Sequence, residues 1–146
     1  MVNYHKDKEA WLEERKKGIG ASEASSILGL NPFCTPFKLW ANKTGLLTEQ
    51  VQESEAMEWG QALETPIALK WAEKNGVTVR QCGDLVKHDK SPLFATPDFE
   101  VIETDNLLEC KLTNDYKGYA DDSTPDYVQI QVAVQLLCTG RDAAHI

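Results

Sequence analysis

Pro97-Asp98-Phe99-Glu100-Val101-Ile102-Glu103-Thr104-Asp105-Asn106-Leu107-Leu108-Glu109-Cys110-Lys111-Leu112 is a pair of apolar runs around a polar turn. Phe99 to Ile102 reads as a strand, Glu103 to Asn106 as the turn, and Leu107 onward as the antiparallel partner. Side chains alternate faces along a strand, so Leu108, Cys110 and Leu112 point one way and Leu107, Glu109 and Lys111 the other. A half-buried strand with a solvated polar face has the same pattern. Asp98 separates the two readings, because the hairpin brings it close to Glu109 and Lys111. Converging carboxylates are costly to leave unpaired, and a divalent cation is their natural partner.

The residue types suit one chemistry. Carboxylate oxygens hold magnesium, which keeps open positions for phosphate and water, polarises the phosphoryl oxygen and lowers the pKa of bound water. An ammonium beside the metal orients the attacking water and stabilises charge on phosphorus in the transition state. Asp98, Glu109 and Lys111 therefore point to metal-dependent phosphodiester cleavage, although so short a motif also arises by chance in acidic chains.

Composition sets outer limits. A chain of 146 residues with 42% hydrophobic content fits one globular domain. Cys34, Cys82, Cys110 and Cys138 lie far apart with no C-x-x-C pair, which fits a reducing cytoplasm and argues against a zinc or iron–sulfur site. No apolar run is long enough to span a bilayer and Met1 to Glu9 has no signal-like core, so a soluble cytoplasmic protein is expected, without membrane partners. The formal net charge of −8 counts against a static DNA-binding module, since phosphate neutralisation supplies most such affinity. It counts less against an enzyme whose carboxylates hold metal. Lys6, Lys8, Arg15, Lys16 and Lys17 form the obvious basic cluster, for most of which a solvated helix face is the simpler reading.

Along the chain, Glu9 to Lys17 reads as a helix stopped by Gly18, and Ser22 as the cap of a short helix ending at Gly29. Thr35-Pro36 opens another, with Phe37, Trp40 and Ala41 as its apolar stripe and Thr44-Gly45 as its end. Leu47 to Glu55 is loop-like. Glu55 to Asn75 is a longer helix stopped by Gly76, which Pro66 must kink or divide. Val77 to Val79 and Asp84 to Lys87 read as strands, Asp115 to Thr124 as a polar loop, and the last helix starts with Thr124 as cap and Pro125 at its first position and ends at Gly140.

Two polar residues stand out on these helices. Glu64 lies beside the stripe Met57, Gly60, Leu63, Ile67 and Trp71, either as an edge residue reaching solvent or as a functional one. In the last helix Gln131 and Gln135 share a polar face, whereas Gln129 neighbours Val132, Ala133 and Leu136 and needs a hydrogen-bond partner in the interior or a cleft.

The blocks Trp11-Leu-Glu-Glu-Arg15, Gly18-Ile-Gly-Ala-Ser22-Glu23, Gly60-Gln-Ala-Leu-Glu64, Thr96-Pro-Asp98, Glu109-Cys-Lys111 and Tyr127-Val-Gln-Ile-Gln131 resemble the YqaJ viral recombinase family. That family is similar to the alkaline exonuclease of phage lambda, within the PD-(D/E)xK nuclease superfamily. The resemblance implies an α/β (α+β) fold with a restriction-endonuclease-like core, a central mixed β-sheet flanked by helices, over 1–146 as a single domain. It implies that Asp98, Glu109 and Glu64, with the Cys110 backbone carbonyl, bind magnesium or manganese, and that Lys111 positions the nucleophilic water. Arg15, Ser22, Thr96 and Gln129 resemble a pocket for the 5′ phosphate of the degraded strand.

The implied activity is 5′-to-3′ exonucleolytic digestion of double-stranded DNA ends in a bacterial host or phage-infected cell, leaving 3′ tails for a single-strand annealing protein. A homotrimeric ring is the implied assembly. A restriction-type endonuclease on the same core, or a non-catalytic interaction domain, are the alternatives. The chain stops at Ala144-His145-Ile146, where the family continues with a further strand and helices, so the domain is expected to be short of those elements.

Overall fold

The computed structural model describes residues 2–47, 54–113 and 123–146, and places the hairpin at the centre of the larger of two sheets. Its strands are β5 (Phe99–Val101) and β6 (Leu107–Leu108), antiparallel with Phe99 opposite Leu108 and Glu100 opposite Leu107. β2 (Val79–Gln81) pairs antiparallel with β5, and β7 (Ala144–His145) pairs parallel with β6. The smaller sheet has the order β1 (Ile19–Gly20), β4 (Leu93–Ala95), β3 (Val86–Lys87), parallel at the first pairing and antiparallel at the second. Both sheets are mixed, so the single central mixed sheet expected is present as two separate sheets.

The alternation read from the hairpin holds through Cys110, although the second strand ends at Leu108 and Leu112 is exposed. Phe99, Val101 and Leu108 form a core with Ala68 of α4 (Glu55–Asn75), and Cys110, Trp71, Val77 and Val79 pack against it. Each such aliphatic or aromatic burial stabilises by about 1.5–3 kcal/mol. Leu107 on the opposite face is also buried. α4 remains one helix through Pro66 and is ended by Gly76 in the left-handed region. It buries Ala68 and Ala72 rather than the larger stripe that spacing suggests; Met57 is exposed and Leu63, Ile67 and Trp71 only half-buried. Small side chains let the helix lie close to the sheet.

Helix ends follow local chemistry. α1 (Lys8–Lys16) is capped by Asp7, whose carboxylate accepts from the Ala10 amide, and α3 (Pro36–Lys43) by Thr35, which accepts from the Lys38 amide. α2 (Ala21–Ile27) departs from expectation. Gly20, not Ser22, is its cap residue, because the Glu23 carboxylate reaches back to the Gly20 amide, leaving Ser22 exposed inside the first turn. In α5 (Asp126–Thr139) Pro125 takes the cap position expected of Thr124, and its carbonyl accepts from the Val128 and Gln129 amides. α3 buries Leu39 and Ala41, whereas Phe37 and Trp40 are exposed and pack on each other.

Gly18 is required by a close approach, since a side chain there would collide with the Pro92 carbonyl just where the Ile19 amide bonds to it. That contact starts the β1–β4 ladder. The loops expected over 47–55 and 115–124 lie largely outside the described residues. Among the described residues, no helix is long and apolar enough to cross a membrane.

Candidate nuclease site

Asp98 immediately precedes β5, and its carboxylate accepts from the Cys110 amide across the ladder at 2.8 Å. This bond pins the turn of the first strand to the end of the second. Glu109, 2% exposed, follows β6. Its oxygens are held by three side chains: Lys111 at 2.6 Å and the Gln131 amide at 2.6 Å on Oε1, and the Gln135 amide at 2.6 Å on Oε2. Lys111 also donates to Gln131 Oε1 at 3.0 Å. The Gln131 amide therefore bridges carboxylate and ammonium, donating to one and accepting from the other.

The carboxylates feel one another. Burial, then the Glu109 and Glu64 charges, push the Asp98 carboxyl up to about 8, against the opposing pull of the Cys110 amide and Lys111. Glu64, on α4, is raised by burial and by Glu109, with Lys111 opposing. Glu64, Asp98, Glu109 and Lys111 thus share one electrostatic neighbourhood. Like charges brought this close in a dry place favour a proton or a cation between them.

The donor chemistry, hard carboxylate oxygens beside a backbone carbonyl, fits a divalent cation. Among the described residues no group of three or more His, Cys, Asp or Glu is already drawn together as a ligand set. The oxygens of Glu109 are taken by two amides and an ammonium. Cys110 offers only its carbonyl, because burial and the Asp98 charge push its thiol up to about 12.

Sequence reasoning points to Gln129 for chemistry and leaves Gln131 and Gln135 on a polar face. The structure reverses their placement. Gln135 is 1% exposed and faces the site with Val128 and Val132, whereas Gln129 is exposed, its amide turned back to the Thr124 carbonyl. The signal was present in the sequence as the shared face of Gln131 and Gln135. What misled was the assumption that the apolar neighbours of Gln129 mark the inner side; the buried Glu109 makes the glutamine face the inner one.

The second group of expected residues is only partly assembled. Arg15 pairs with Glu23 at 2.9 Å and its guanidinium lies over the Trp11 ring at 4.7 Å. The Trp11 indole donates to Thr96 Oγ1 at 3.0 Å, so Arg15 and Thr96 are joined through Trp11. Ser22 is exposed beside Glu23, and its carbonyl accepts from Asn31. Elsewhere in the basic cluster, Lys16 pairs with Glu13 and Lys17 with Glu14 on the surface of α1.

The chain from residue 10 to 142 matches the model of a family described as the YqaJ-like viral recombinase domain. It is 37% identical over 133 residues to the Bacillus subtilis (strain 168) protein YqaJ, itself uncharacterized, covering 89% of this chain and 42% of that one. Its fold matches the crystal structure of an alkaline exonuclease from Laribacter hongkongensis with a TM-score of 0.76 at 23% identity, over 93% of this chain and 71% of that one. The same enzyme in complex with dAMP matches equally well, with a TM-score of 0.76 at 22% identity. The architecture is therefore restriction-endonuclease-like.

Proposed function

The chain belongs to the YqaJ-like viral recombinase domain family, and we propose that it is a divalent-cation-dependent deoxyribonuclease that digests linear duplex DNA from its 5′ ends. The 3′ single strands so produced would be substrates for a strand-annealing protein. The observation that carries this reading is the buried Glu109–Lys111 pair beside Asp98, with Glu64 of α4 in the same electrostatic neighbourhood. The fold shared with an alkaline exonuclease supports it.

Asp98, Glu109, Glu64 and the Cys110 carbonyl would hold the cation, magnesium or manganese, which hard oxygen sites accept alike. When bound, it supplies Lewis-acid polarisation of a phosphoryl oxygen and a more acidic water. Lys111 has three donor protons, and Glu109 and Gln131 take two of them. The remaining donor serves a water or a phosphate oxygen. Gln131 fixes the ammonium in place, and Gln135 holds the far oxygen of Glu109 so that the carboxylate keeps one orientation. Arg15 and Thr96, braced by Trp11, are the groups best suited to a terminal 5′ phosphate, and Ser22 and Gln129, both at the surface, would complete that end pocket.

The test uses purified protein with magnesium on three substrates: linear duplexes bearing 5′ phosphate or 5′ hydroxyl, and a closed circle. The linear molecules should be consumed, the phosphorylated one faster, and the circle should survive. Chelation of the cation, Asp98→Asn and Lys111→Ala should each abolish digestion while the protein stays folded. Cutting of the circle would establish an endonuclease instead, and inactivity on all three a non-catalytic domain.

A further inference from the structure

Lys43, at the end of α3, reaches across to α1 and α2. Its ammonium lies 2.7 Å from Glu23 Oε2 and donates to the Arg15 carbonyl at 2.6 Å. Arg15 holds the other oxygen of Glu23 at 2.9 Å, and the Gly20 amide adds a third donor at 2.8 Å. The three side chains are about equally withdrawn from solvent, 23% exposed for Arg15, 21% for Glu23 and 17% for Lys43. Phe94 lies under both cations, 5.7 Å from each.

The charges decide what this cluster can do. Arg15 with Glu23 alone is a neutral pair, and its carboxylate would repel a phosphate that carries about −1.5 to −2 at pH 7. Adding Lys43 leaves the cluster with one net positive charge. We propose that Lys43 is a positioning and specificity residue for the 5′-phosphorylated DNA end: it takes up the Glu23 carboxylate so that Arg15 can serve the phosphate. This rests on the reading of Arg15 as a phosphate group's partner. Lys43 acts through Glu23 and Arg15, so its effect falls on discrimination between ends rather than on phosphodiester cleavage itself.

The experiment compares kcat/KM on linear duplexes with 5′ phosphate and with 5′ hydroxyl for the wild type, Lys43→Met, Lys43→Arg and the double variant Lys43→Met/Glu23→Gln. Wild type should prefer the phosphate. Lys43→Met should lose about tenfold of that preference, through KM rather than kcat, and Lys43→Arg should keep it. The double variant should recover most of the loss, because the carboxylate that needed an ammonium is gone. A purely structural Lys43 predicts a lower melting temperature with the phosphate-to-hydroxyl ratio unchanged, and that result, or a double variant no better than Lys43→Met, overturns the inference. A wild type with no preference for the phosphate overturns the underlying reading of Arg15, and the role of Lys43 with it.

Discussion

A carboxylate as buried as Glu109 survives only with its oxygens satisfied, and Gln135 satisfies Oε2 from a position that is itself almost fully buried. Replacing one partner of such a pair leaves the other desolvated and unmatched, which costs about 1–3 kcal/mol, whereas removing both is close to neutral. Gln135→Leu should therefore destabilise the fold by about that amount in urea titration, and it should cost much less when introduced beside Glu109→Leu, where no carboxylate is left for it to abandon. Strictly additive losses would show that the two side chains do not depend on each other. Residue-scale legibility in the sequence was uneven for the same reason. Glu109 and Lys111 could be read as neighbours from strand alternation because the period of two admits only two faces, and Asp98 as their companion from the hairpin. On α5 the faces could be separated by periodicity, but choosing the inner one required knowing that a buried carboxylate waits opposite Gln131 and Gln135.

At the scale of the element, helices announce themselves through their ends. Thr35 accepts from the Lys38 amide and Pro36 follows in the first turn, so α3 begins where a hydroxyl and a donor-free residue stand together. Thr35→Ala should cost about 1 kcal/mol in denaturant unfolding and Thr35→Ser much less; an unchanged midpoint in the alanine variant would mean water replaces the cap at no cost. Gly76 and Gly140 end α4 and α5 in the left-handed region that glycine adopts without strain, as the sequence foretold. The strands were harder. β1, β3, β6 and β7 are two residues long, too short for alternation to register. β1 and β4 were not read at all, since Gly18 looks like a helix stop and its close approach to Pro92 exists only in three dimensions. α3 shows the opposite failure: its aromatic residues suggested a buried stripe, yet the face that packs carries Leu39 and Ala41.

At the scale of the whole molecule, a chain of net charge −8 in which Asp98 feels the charges of both Glu109 and Glu64 should gain stability from a bound cation. The sign follows from Asp98. Its folded-state value is raised from 3.8 to about 8, so the cation-free fold prefers the protonated carboxyl. That contribution is fully present below the unfolded value and is lost as pH rises through the folded one. Without divalent cation, stability should decline between roughly pH 4 and pH 8 from this group. A cation that takes the place of the proton reverses the penalty, and its binding must release protons. Magnesium should therefore raise the melting temperature, and raise it more at pH 8.5 than at pH 6, with the difference largely gone in Asp98→Asn. Equal increments at both pH values would mean that magnesium binds without displacing a proton from Asp98, and an increment that survives Asp98→Asn would place the cation elsewhere.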